Sequence, residues 1–158
     1  MAELKYGLVI GSHSGRWYGM SQKATYIQRR GGKFLTLLNG KASLMASMTG
    51  TDRSDQRVLG WAKSQKDAAG QDYWVSDTTG NEEVFVYTHL DNIYEIPFIG
   101  ALTASHLGKG LTLVCTPLTS GLQKAKIGKN ASPIYLVSCE TNDASTCYVK
   151  IKPEFKLN

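Results

Sequence analysis

The sequence predicts an all-β fold, a single antiparallel β-barrel or sandwich with an extended N-terminal arm. Three observations predict it. Short apolar runs rich in Val, Ile, Leu, Tyr and Phe recur along the chain, and polar turn clusters separate them about every ten residues. No segment holds a 3.6-residue apolar period for long. Glycine, at 16 of 158 residues, punctuates the runs where turns are needed.

The elements follow in chain order. Residues 1–30 carry aromatic and basic residues without a sustained strand pattern and are read as the arm; residues 18–30 and 101–108 are the two stretches that could turn helical. "KFLTLLNG" (33–40) is an apolar run that ends in Asn39-Gly40, a strong hairpin signal. "KASLMASMTG" (41–50) follows, with Ala42, Leu44 and Ala46 on one face at period two, so the two runs form a hairpin. "VLGWA" (58–62) is a short strand whose internal Gly60 marks a bulge or a close backbone approach. Polar loops at 51–57, 63–72 and 77–83 flank it and the strand "YWVS". "VFVYTHL" (84–90), the turn "DN" and "IYEIPF" (93–98) read as a strand and its partner. "LTLVC", "LQKAKIG", "PIYLVSC" and "CYVKIK" complete the set, and the whole chain, 1–158, is read as one β domain.

Composition removes several classes of function. There is no apolar stretch long enough to span a bilayer, so no membrane association is expected. The start, "MAELKYGLVIGSHSG", has no apolar core suited to a secretory signal. The net charge of +5 is scattered, and only "QRRGGK" (28–33) is compactly basic. Without a basic stripe or an aromatic RNA-binding motif, no direct nucleic-acid binding is expected. Cys115, Cys139 and Cys147 are an odd number with no C-x-x-C spacing, so they read as free, buried thiols without a metal.

Catalytic motifs fail on register. Gly108-Lys109 precedes Gly110 where a phosphate loop needs Ser or Thr, and a strand follows where it needs a helix. "GSHSG" (11–15) places His13 where a nucleophile elbow needs serine. His13, His89 and His106 make no metal-binding pair, and Glu82 and Glu83 point to opposite faces of a strand. No enzyme activity and no cofactor are expected.

The stretch "NIYEIPFIGALTASHLGKGLTLV" (92–114) resembles the capsid decoration (cement) proteins of tailed bacteriophages. In that family an aromatic-Glu strand is followed by small and hydroxyl residues, a glycine and a second strand. Upstream "VLGWAKSQKDAAGQDYWVSDTTGNEEVFVYTHLDN" and downstream "SPIYLVSCETNDASTCYVKIKP" extend the likeness over residues 58–153. The resemblance implies a virion structural protein on the capsid exterior, assembled in the bacterial cytoplasm. Its partners would be the major capsid protein and itself, as a homotrimer. The interface residues expected are Arg16, Trp17, Tyr18, Tyr26, Arg29, Arg30 and Lys33, aromatic and basic types that dominate contact hot spots. Glu95 joins them as a strand residue facing away from Tyr94 and Ile96, either solvated or in an ion pair with Lys or Arg. Other readings remain open: a tail or baseplate component, a β-barrel binding module, or a small enzyme with a Cys-His pair.

Overall fold

The computed structural model describes residues 7–21, 26–28, 31–45, 57–63, 73–75, 82–115, 122–127, 132–141 and 145–157. They form an all-β fold. The strands are β1 (Gly7–Ile10), β2 (Gly15–Gly19), β3 (Tyr26–Gln28), β4 (Phe34–Leu38), β5 (Lys41–Leu44), β6 (Gly60–Ala62) and β7 (Tyr73–Val75). They continue with β8 (Glu83–Tyr87), β9 (Ile93–Ile99), β10 (Gly110–Val114), β11 (Lys124–Ile127), β12 (Ile134–Ser138) and β13 (Thr146–Ile151). The segment 101–108 holds one 3₁₀ turn, Ala104–His106, rather than an α-helix. Of the other possible helix, residues 18–19 and 26–28 lie in β2 and β3.

Strands β9, β11, β10, β12 and β13 form a closed five-stranded barrel, sealed by the β13–β9 pairing. Alternation fills it. Tyr94, Ile96, Leu111, Leu113, Ala125, Leu136, Cys147, Val149 and Ile151 are buried, while Glu95, Thr112, Tyr135, Tyr148 and Lys150 alternate with them and are less buried. One seam departs from the antiparallel expectation: β11 runs parallel to β9, with Ala125 opposite Phe98. It occupies the second half of that edge of β9, and β1 occupies the first, with Leu8 opposite Tyr94.

A second sheet runs β2-β8-β6-β4-β5. Its ends curl toward each other, because Met20 bridges Ala42 and the Ser21 N–H donates to the Ala42 carbonyl at 3.0 Å. The β4–β5 hairpin turns at Asn39 and Gly40, both at positive φ (52° and 78°), as a tight primed turn requires. Gly60 in β6 is a close approach, as its place in the sequence predicts: a Cβ there would sit 2.0 Å from the Tyr87 carbonyl oxygen. Inside the curl lie Met20, Leu35, Ala42, Leu44, Leu59, Ala62, Val84, Val86 and Cys115. The small β3–β7 ribbon adds Ile27 to that core.

The two sheets meet over an aromatic trio. Trp61 stacks on Tyr94 at 4.9 Å and 11°, and Phe34 stands edge-on to both, at 4.7 and 5.4 Å. Two buried amides stitch the seam. Gln123 Oε1 accepts from the Phe34 N–H at 2.9 Å, and its Nε2 donates to the Phe34 and Met45 carbonyls at 3.1 and 3.3 Å. Asn92 treats Ser12 in the same way, accepting from its N–H at 2.7 Å and donating to its carbonyl at 2.9 Å. Each side chain stands in for a strand's peptide group, so the backbone at the seam stays satisfied.

Three expectations are corrected. The extended N-terminal arm is absent among the described residues, because β1 pairs with β9 and β2 with β8. "VFVYTHL" and "IYEIPF" are not partners. The chain crosses from one sheet to the other at 89–92, where Asn92 is drawn inward to Ser12 instead of closing a hairpin. Cys139 is only half-buried at the end of β12, although all three thiols are free as expected.

Candidate functional site

Strand β2 positions the site. Its pairing with β8 sets Trp17 opposite Phe85, and period-two alternation sends Arg16 and Tyr18 to the other face. The Trp17 face carries an aromatic row that runs from the seam toward solvent. Tyr87 meets Phe85 at 6.0 Å, Phe85 meets Trp17 edge-on at 5.5 Å, and Trp17 ends the row 62 % exposed. Lys63 Nζ lies 6.0 Å above the Phe85 ring. An exposed tryptophan held against an aromatic neighbour offers a preformed apolar anchor flanked by positive charge, the arrangement of an interface hot spot.

The Arg16 face opens into a cleft of about 290 Å³. Arg16 and Tyr18 line one wall, Thr88 and Leu90 beyond β8 a second, and Pro153, Lys156 and Leu157 of the C-terminal segment a third. That segment is tied down by Val58, whose N–H donates to the Phe155 carbonyl and whose carbonyl accepts from the Leu157 N–H. Lys156 Nζ donates to the Leu157 carbonyl, and burial lowers its pKa below the usual 10.5. Two cations line this cleft, and no acidic side chain does so among the described residues.

Sequence reasoning placed Arg16, Trp17, Tyr18, Tyr26, Arg29, Arg30, Lys33 and Glu95 at one interface. The structure brings Arg16, Trp17 and Tyr18 together on β2, with Trp17 on the opposite face from the other two. Tyr26 lies in β3, in the separate two-stranded ribbon with β7, and its side chain is outside the described residues, as are Arg29 and Arg30. Lys33 is a correction. It is 2 % exposed, with Nζ 3.5 Å from the Gly31 carbonyl and 5.7 Å from the Trp61 ring centre, so it braces the seam instead of facing a partner. Glu95 is half-buried on the barrel's outer face, and its Oε2 accepts from the Thr146 hydroxyl at 2.6 Å in place of a Lys or Arg. Thr88, Leu90 and Lys156 were missed, since nothing in their local sequence marks a cleft built from three distant segments.

No catalytic constellation emerges among the described residues. His89 Nδ1 accepts from the Asp91 N–H at 3.2 Å and His106 Nδ1 from the Thr103 N–H at 3.1 Å, so both serve local turns. His13 stands edge-on to Tyr87 at 5.5 Å. Burial pushes Cys115 up to about 11 and Cys147 up to about 12, which keeps both as protonated thiols at neutral pH. The described residues hold no cluster of three or more His, Cys, Asp or Glu fit for a metal, and no helix among them is long and apolar enough to cross a membrane. Comparison with family models, with characterised proteins and with solved structures returned no match.

Proposed function

We propose that this chain is a non-enzymatic assembly protein that decorates a protein shell, the capsid of a tailed bacteriophage, and docks through β2. The observation that carries this reading is Trp17, an exposed aromatic fixed by Phe85 at the outer end of the sheet and flanked in sequence by Arg16 and Tyr18. The body supports it. Two β sheets joined by aromatic stacking and buried amides form a rigid platform, which a protein holding neighbouring capsomers in place requires. The partners proposed are the major capsid protein and two further copies of this chain about a three-fold axis, where repetition turns weak contacts into firm attachment.

The test is occupancy. Particles purified from producing cells are compared by quantitative mass spectrometry for the ratio of this chain to the major shell protein, with wild-type protein or with Trp17→Ala. Wild type should be present in amounts comparable to the shell protein, and Trp17→Ala should lose most of that occupancy while keeping its fold. Light scattering of the free protein should give a trimer mass. Absence of the wild-type chain from particles overturns the reading.

A further inference from the structure

Beyond Trp17, β2 has an edge that the described residues leave open around Trp17 and a charged cleft beside it, and together they specify what kind of chain can dock. Among the described residues, β8 pairs with β2 on one side. On the other side only the end of the strand is covered, where Met20 bridges Ala42 of β5, and Trp17 stays unpaired there. The Met20 N–H donates to the Glu82 carbonyl at 2.8 Å, and the Thr88 N–H to the Ser14 carbonyl at 3.4 Å. Antiparallel pairs alternate, so Arg16 and Tyr18 also turn their peptide groups to β8, and Trp17 turns its N–H and C=O to the open edge. Its side chains then divide by face, Trp17 on one and Arg16 with Tyr18 over the cleft on the other.

We propose that this edge accepts an extended, acidic segment of a partner protein as an added strand, with acidic side chains entering the cleft between Arg16 and Lys156. The segment's backbone bonds to the Trp17 N–H and C=O. Alternate side chains of the segment fall on the cleft face, where carboxylates meet Arg16 and Lys156 and their methylenes lie on Leu90, Pro153 and Leu157. The intervening side chains fall beside Trp17 and Phe85 and are apolar. The recognised pattern is therefore acidic–apolar–acidic. Charge complementarity selects it: the two cations face no carboxylate among the described residues, and Lys156 is partly desolvated at a cost that an incoming anion offsets. At about 290 Å³ the cleft lies at the small end of ligand cavities, which run from roughly 300 Å³ upward, and it suits a side chain presented on a strand.

The inference rests on the reading of β2 as the partner-facing strand, and its test contains no particles, so the two fail separately. A fluorescein-labelled peptide alternating Glu and Val is titrated with the full-length protein, and anisotropy is read. The peptide should bind, Arg16→Glu and Lys156→Glu should each weaken it about tenfold or more, and a Lys–Val peptide should not bind. Methylating alternate peptide nitrogens of the Glu–Val peptide should abolish binding, since no strand can then be added. Raising salt on the wild-type protein should weaken binding progressively, an arm that needs no variant to fold. Equal binding by both charge variants, or by the methylated peptide, overturns the proposal. So does displacement of the peptide by inorganic phosphate at matching concentration, which would make the cleft a small-anion site. No binding of the Glu–Val peptide also overturns it.

Discussion

Replacing Gln123 with leucine keeps nearly the same volume at the seam and removes every hydrogen bond its amide makes. Three backbone groups are affected. The Phe34 carbonyl keeps the Met45 N–H as a donor at 3.0 Å, so it is not orphaned. The Phe34 N–H and the Met45 carbonyl lose the side-chain partner that the structure gives them, in a region where both residues are buried. An orphaned buried group costs about 1–3 kcal/mol, so Gln123→Leu should lose about 4 kcal/mol. For a chain of this size that corresponds to a fall in melting temperature of roughly 8–16 °C. Urea denaturation followed by tryptophan fluorescence, with a parallel thermal melt, measures it. Gln123→Glu sharpens the test. At neutral pH its carboxylate can accept from Phe34 but cannot donate to Met45; protonated, it can do both. Its folded-state pKa should therefore lie above the ordinary carboxylate value, and its stability deficit should shrink as pH falls toward 4. A Gln123→Leu protein within about 1 kcal/mol of wild type would refute the claim that the amide holds the two sheets together.

Gly60→Ala should be among the most damaging small changes, because its Cβ would meet a backbone carbonyl 2.0 Å away and one strand of the β6–β8 pair must move; the expected result is a loss of about 3 kcal/mol or more, or insoluble protein, on the same denaturation assay. Alkaline titration followed by far-UV circular dichroism should show stability flat to about pH 9 and then falling. Tyr94, held at about 12 against the usual 10.0, and Cys147, at about 12 against 9.0, stay protonated in the folded chain after the unfolded chain has ionised. Stability is thus present in full below the unfolded values and lost as pH rises toward the folded ones, with Tyr94 alone accounting for about 3 kcal/mol. Stability unchanged to pH 11 would contradict that burial.

What was legible in the sequence is what local chemistry controls. Asn39-Gly40 marked a hairpin because few residue pairs adopt two successive left-handed conformations, and Gly60 marked a close approach because it interrupts an otherwise apolar strand. The alternation of Tyr94, Glu95 and Ile96 set the glutamate on the face opposite the other two, and the structure buries that pair. What failed was long-range. The partners of "VFVYTHL" and "IYEIPF" depend on where Asn92 finds its hydrogen bonds, and Ser12 lies 80 residues away. Lys33 was read as an interface residue because its neighbours are basic and glycine-rich, yet the tertiary fold sets it over Trp61. The N-terminal residues read as an arm because their short strands borrow order from β8 and β9 rather than from a pattern of their own. For the site, the residue types on β2 were visible, but the cleft requires Leu90 and Lys156 from elsewhere.

The tie between Asn92 and Ser12 has a consequence for how the protein could be rebuilt. The chain leaves the barrel's sheet after β1, the strand laid on the edge of β9, and enters the barrel at β9, and these two crossings are hydrogen-bonded to one another. Everything between them, from β2 to β8, is topologically an insert whose two ends meet. Inserts of this kind tolerate exchange, because the host strands already close beneath them. A foreign β module spliced between residues 12 and 92 should leave the β1–β9 pairing intact, provided that it presents a flat aromatic to cover Tyr94 where Trp61 now stacks. The barrel then becomes a reusable mount, and what it displays to the outside can change by recombination without redesign of the mount itself.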